Sequence, residues 1–331
     1  MQIPSSHRWV TVMLLILVTV PIANGDERDK AARFPLLDNG DALKRISHRQ
    51  PSLPAWARML AGPMPRTTAE MLKLDYVHRA KNPLNAALRA KIRWAAADAI
   101  GCEYSRQVAK ADLRRAGVGR TNLKQFIQSG KSASADERIA IAMARKLTAA
   151  GHSVTDEEMA DLIKRYGPKT VMAIVHTVAH ANFQDRIFLA LGVQVKADGP
   201  YPPLDISTKP GKDSAKRPPR KSWKEVQAGN KDKSKRRPGW KETSFAELKT
   251  ALKEQGKRQS RISLPKDDKN KGKKKPSRSG IAWNNVSMAY QPELTRAWFR
   301  CMNTFYREAE LDRVFANSMF WVVTRSNECF Y

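Results

Sequence analysis

Cysteine is scarce in this chain. Cys102, Cys301 and Cys329 are the only three in 331 residues, too few for a disulfide-built scaffold and one too many to pair completely. A redox role, a missing partner or simple burial stays open for each. Strand signals are missing as well: no stretch alternates apolar and polar residues between hairpin turns, which excludes a β-sandwich or barrel and points to an all-α fold. A comfortable membrane span is lacking, because the apolar run Val10–Ala23 is short for one. With His7 and Arg8 before it and Ala23-Asn24-Gly25 after it, this run reads as a secretory signal peptide over residues 1–25, cleaved before Asp26. The mature chain is then exported, periplasmic or extracellular, with no stable membrane insertion after cleavage; an uncleaved anchor is the alternative.

Acidic residues are also few, 32 against 60 Lys and Arg, for a net charge of +28. The excess is concentrated. Residues 201–280 carry 25 basic and 9 acidic side chains, whereas the other 251 residues carry 35 and 23. Pro202-Pro203, Pro218-Pro219 and Lys-rich ends give residues 196–280 a composition that cannot bury enough apolar surface to fold alone. A short helix is expected inside it near 244–255, where Ser244-x-x-Glu247 forms a capping box and Phe245, Leu248 and Leu252 share a face. Phosphate neutralisation by such a segment would suit nucleic acid. Tyr201, Trp223, Trp240 and Phe245 are too sparse for a stacking platform, however, and export removes the usual partner. No specific nucleic acid is expected; the segment reads as a solvated linker or a contact to anionic envelope polymers.

The remaining chain is rich in helix signals. Residues 26–51 have no sustained period and read as a flexible lead-in, and Leu53–Leu60, with Trp56, should pack down onto the first domain. Thr67-x-x-Glu70 is a capping box before Met71, Leu74 and Val77, and Asn82-Pro83 supplies a cap and an N1 proline for a helix over Leu84–Ile100. Thr121 can cap a short helix through Phe126. Ser134-x-x-Glu137 opens a helix to Gly151, Thr155-x-x-Glu158 opens one to Gly167, and Pro168 starts a largely apolar helix that closes at Gly192. Residues 52–195 are therefore expected to form one all-α domain.

Within that domain the stretch RWAAADAIGCEYSRQVAKADLRRAG places Cys102 directly after the helix-stopping Gly101 and at the start of the next helix. Backbone N–H groups without intrahelical partners and the positive end of the helix dipole lower a thiol's pKa in such a place. Cys102 is thus a candidate reactive thiol.

The last fifty residues repeat the front of this domain. A shift of 227 positions, without gaps, aligns Ala282-Trp283 with Ala55-Trp56, Pro292 with Pro65, Thr295 with Thr68, Leu311 with Leu84, Trp321 with Trp94, Cys329 with Cys102 and Tyr331 with Tyr104. Two Trp pairs and a Cys-x-Tyr pair in one register mark a duplication. Residues 281–331 are then the entry helices of a second domain. Two outcomes are open: the sequence is a fragment of a longer protein, the favoured expectation, or the half-domain docks on the first copy.

The strings RWAAADAIGCEYSRQVAKADLRRAG, ARKLTAAGHSVTDEEMADLIKRYG and VHTVAHANFQDRIFLALG resemble the carboxymuconolactone decarboxylase and alkylhydroperoxidase D superfamily. The resemblance implies an alkylhydroperoxidase D-like helical bundle, complete once and half-present again. That superfamily carries a Cys-x-x-Cys-x-x-x-His motif at a helix start. In its peroxidase branch one cysteine attacks a hydroperoxide, the other resolves the sulfenic acid, and the histidine and a glutamate relay protons. Here the attacking position is Cys102, the resolving position is Ser105, the histidine falls on Ala109 and the glutamate on Ala90. A serine cannot close the disulfide, and an alanine relays no proton. Cys102 is either a single-cysteine peroxidase served by an outside thiol or a small buried hydrophobe. In the second copy Cys329 takes the attacking position and Asn317 that of the glutamate, and Cys329 is the better redox candidate.

The resemblance thus implies a thiol-dependent, peroxiredoxin-type activity on hydroperoxides with an external thiol reductant and no cofactor. It also implies homo-oligomers or an intramolecular pairing of the two copies. The alternatives are a non-catalytic scaffold and a cysteine-independent lactone decarboxylase. His176 and His180, four apart on the Pro168 helix, could serve the latter's pocket. No Glu follows the first of them and no third ligand is evident, so no metal is expected and packing against the Cys102 helix is the default.

Overall fold

The computed structural model describes residues 34–46, 52–129, 133–195, 202–206, 246, 250, 253, 260–264 and 282–326. Every element among them is helical, and none is a strand. The order is α1 (Asn39–Arg45), α2 (Ala55–Leu60), α3 (Pro65–Tyr76) with a π-helical turn (Val77–Lys81), α4 (Ala86–Ile100), α5 (Glu103–Arg115), α6 (Arg120–Ser129), α7 (Ala135–Ala150) and α8 (Asp156–Leu191). They are followed by α9 (Ala282–Tyr290), α10 (Pro292–Glu308) and α11 (Arg313–Ser326). No helix among the described residues is long and apolar enough to cross a membrane. The signal-peptide reading of residues 1–25 and Cys329 both lie outside the described residues.

Local chemistry fixes many of these boundaries. Ser134 and Thr155 each accept from the amide three residues on while the Glu there reaches back, so both expected capping boxes are formed. Gly167, at φ 72° and ψ 158°, breaks α8 before Pro168 restarts it, which matches the two helices read from the sequence. Three other signals are displaced. Thr121 lies inside α6, which starts at Arg120. The α3 start is set by Pro65 at N1, and Thr67 does not cap it. The α4 cap is Asn85, which accepts from the amides of Ala87 and Leu88, because the π turn carries the preceding helix on to Lys81.

Helix α4 is the centre of the first repeat. It packs against α5, α7 and α8, and Leu88, Ile92 and Ala95 on it meet Ala140, Ala144, Ala173, Ile174 and Val178. Its other side sends Trp94 against Leu113, Leu123 and Phe126. The lead-in is less free than composition suggests: Asp38 caps α1, and Ala42 and Ile46 join the core. Leu204 and Ile206 are buried in the same core, so the start of the basic segment is held down. Near its other end Ile262 is buried, and Arg261 pairs with Asp156 at 2.6 Å. Of the expected helix at 244–255, residues 246, 250 and 253 are described, and they are helical.

The 227-residue register of the sequence alignment recurs in the helix boundaries. Helices α9, α10 and α11 start 227 residues after α2, α3 and α4, and α10 ends 227 residues after the π turn that completes α3. The caps repeat too. Met64 (φ −142°, ψ 63°) and Gln291 (φ −136°, ψ 60°) precede α3 and α10, and the hydroxyls of Thr68 and Thr295 each donate to those carbonyls at 2.7 Å. Asp312 accepts from Val314 and Phe315 as Asn85 does from Ala87 and Leu88.

Helices α3 and α10, equivalent elements of the two repeats, pack on each other. The C-terminal end of α10 meets the N-terminus of α3, where the Glu308 carboxylate accepts from the amides of Arg66 (2.9 Å) and Thr67 (2.6 Å). A carboxylate at unpaired helix N–H groups is the favourable arrangement. Helix α11, in contrast, leaves its apolar face open. The four positions that match buried Leu84, Leu88, Ile92 and Ala95 are Leu311, Phe315, Met319 and Val322, which are 36–56% exposed.

Candidate functional site

The Cys102 turn begins with the end of α4. Gly101 adopts φ 75°, a left-handed conformation that favours glycine, and the Cys102 amide then donates back to Ala97 O at 2.9 Å. Cys102 becomes the residue preceding α5, with its side chain making no cap hydrogen bond. Ser105 follows one helical turn on and is buried. Tyr104 sets its ring edge-on to Phe188, 5.1 Å between centroids, and ties the turn to α8.

The expected geometry, a thiol at a helix start, is present. The expected electrostatics is reversed. Cys102 is 1% exposed, and burial, followed by the negative charge of Asp185, pushes its thiol up to about 11. The Ser105 hydroxyl and amide and the Arg106 charge pull the other way and are outweighed. Dipole stabilisation is worth at most about 2 kcal/mol, and desolvation of a fully buried thiolate exceeds that. Near neutral pH the group is a thiol.

Asp185 is the residue that sequence reasoning missed. It lies on α8, is wholly buried, and neither carboxylate oxygen has a hydrogen-bond partner. Burial raises its acid to about 6. The Ser105 hydroxyl is near enough to favour the ionised forms of both Cys102 and Asp185, but it is not aligned into a full hydrogen bond with either. Cys102, Ser105 and Asp185 thus form a sealed group of three. Ala109 and Ala90, at the relay positions, are buried among apolar neighbours and contribute no polar atom.

His176 and His180 do face the same way, but what they meet is His78, from the π turn, as well as α4. The rings of His78 and His180 stack at 4.2 Å and 12°, and His176 lies 6.1 Å from His78. Burial lowers all three, His176 to about 4, so they are neutral imidazoles. Arg93 approaches His180 Nδ1 at 3.1 Å. Since a guanidinium only donates, Nδ1 accepts and the ring proton is on Nε2. Arg93 also donates to Gln184, Gln184 donates to Asp75, and Arg79 bridges Asp75 and Asp112 at 2.8 Å. No three His, Cys, Asp or Glu among the described residues converge to hold a metal ion.

Beside this network lies a cavity of about 20 Å³ lined by Arg79, Arg93, Gln184 and Tyr104 among others. That is room for about one water and not for a lactone. Cys301, the remaining described cysteine, is buried on α10 and unpaired. No protein-family model, curated protein or solved structure matches the chain.

Proposed function

We propose that the first repeat is a pairing scaffold, and that thiol-dependent hydroperoxide reduction, the activity implied by the resemblance to the carboxymuconolactone decarboxylase and alkylhydroperoxidase D superfamily, is carried by Cys329. The observation behind this reading is the state of Cys102: sealed, protonated and beside an unpaired carboxylate. A buried thiol at about 11 presents roughly one thiolate in ten thousand at neutral pH. What the first repeat offers instead is a face: α3 takes the matching helix of the second repeat, and Glu308 caps it.

At Cys329 the step is a two-electron transfer. The thiolate sulfur attacks one peroxide oxygen, the O–O bond breaks, and the other oxygen leaves as an alcohol once protonated. The cysteine is left as a sulfenic acid. An outside thiol then displaces water to form a mixed disulfide, and a second thiol reduces that disulfide. A second reading, in which Cys102 is a slow single-cysteine peroxidase, rests on the position of its thiol at the start of α5. Hydroperoxide consumption with a dithiol reductant separates them. The proposal expects turnover retained in Cys102→Ser and lost in Cys329→Ser; the reverse pattern establishes the second reading, and turnover unchanged in both variants removes thiol chemistry altogether.

A further inference from the structure

The seam between the two repeats is not filled. A cavity of about 360 Å³ lies between α3, the second half of α8 and α10, within the size range of small-molecule sites. Its walls are apolar and adaptable: Met64, Met71 and Met302 line it, with Phe183 and Trp298 packed edge to face at 5.0 Å. Methionines fit irregular shapes without a fixed partner. No Lys, Arg, Asp or Glu among the described residues lines the cavity, so a charged ligand would lose its hydration with none of them to replace it.

Two hydroxyls lie behind its wall, and neither is open to it. That of Thr68 is committed to the Met64 carbonyl at 2.7 Å. The hydroxyl of Thr67, a residue 5% exposed, has no hydrogen-bond partner. Its backbone amide is already taken by Glu308. A buried hydroxyl left unpaired costs stability unless something satisfies it. The Cys301 thiol also lines the wall, and burial holds it up at about 12, so it adds no charge.

We infer that this seam cavity binds a small, uncharged, mainly apolar molecule, held by the apolar walls that both repeats supply. Cys102 is not among the cavity's lining residues, and the inference stands whether or not that thiol reacts. Because both repeats supply its walls, such a ligand would stabilise their pairing.

The test uses the full chain with N-phenylnaphthylamine, a neutral fluorophore, and competition by decanol, decane and decanoate. Saturable binding of one fluorophore per chain is expected, with displacement by decanol and not by decanoate. Met302→Trp, at a half-buried position on α10, should fill the space and weaken the fluorophore at least ten-fold while the chain keeps its helical circular dichroism. Displacement by decanoate as strong as by decanol overturns the neutral class. Signal that survives Met302→Trp but disappears in Phe315→Ser/Met319→Ser shows the fluorophore on the open face of α11 and overturns the site.

Discussion

Glu308 accepts a 2.6 Å hydrogen bond from the amide of Thr67, 241 residues away in the chain. The contact joins the end of one repeat's helix to the start of the equivalent helix in the other, and a second bond from Arg66 N completes it. Glu308→Ala should therefore destabilise the folded chain by about 1–2 kcal/mol, the usual range for a lost helix cap with some charge assistance. Urea denaturation checks this, with Glu308→Gln expected to recover part of the loss. A variant as stable as the parent would separate the two repeats energetically.

Asp185 has an acid pKa raised from 3.8 to about 6. The folded state then holds this proton more tightly than the unfolded chain does. Its charge costs stability that first appears as pH rises above about 4 and reaches about 3 kcal/mol above pH 6. Asp185→Asn should flatten stability across that window and gain most at pH 7. The same change removes the negative charge beside Cys102, so the pH midpoint for alkylating Cys102 should fall below about 11.

The three clustered imidazoles act in the opposite sense. Their pKa values are depressed by burial, His176 from 6.5 to about 4. The unfolded state binds protons that the folded state refuses, so their contribution is intact above about pH 6.5 and is lost as pH falls toward 4. His78→Asn, which leaves two rings, should reduce the acid loss measured by chemical denaturation between pH 7 and about 4.5. An unchanged slope would place the loss elsewhere.

Helix α11 presents Phe315, Met319 and Val322, with Leu311 just ahead of it, and their counterparts in and just ahead of α4 are buried with residues of α7 and α8. Phe315→Ser/Met319→Ser should lower binding of an apolar surface dye and reduce self-association in sedimentation, with little change in unfolding midpoint. A large loss of stability instead would show that this face is covered in solution.

Legibility followed the range of the forces. Ser134 and Thr155 cap their helices as expected, because those bonds span three residues. The repeat register is equally plain, and three helix starts obey it. The Thr67 box fails because Pro65 opens the helix earlier and the cap comes from Glu308, far along the chain. Asn82 gives way to Asn85 because a π turn carries the preceding helix further, and no local pattern marks it. At the Cys102 turn the helix start is legible, and burial is one of the two readings offered for the thiol, but its neighbours are not legible. Asp185 reaches the thiol from α8 and His78 reaches His180 from α3, pairings created only by packing. The lead-in and the ends of the basic segment look free by composition because each buries only a few apolar side chains, such as Ala42, Ile206 and Ile262.

The assignment of chemistry to Cys329 and of scaffolding to the first repeat is tested most directly by trapping sulfenic acid. The full chain is treated with one equivalent of hydroperoxide in the presence of dimedone at pH 7, and each cysteine peptide is read by mass spectrometry. The account predicts adduct on Cys329 and essentially none on Cys102, whose thiol is held at about 11. Adduct forming on Cys102 as fast as on Cys329, or on Cys102 alone, would contradict it.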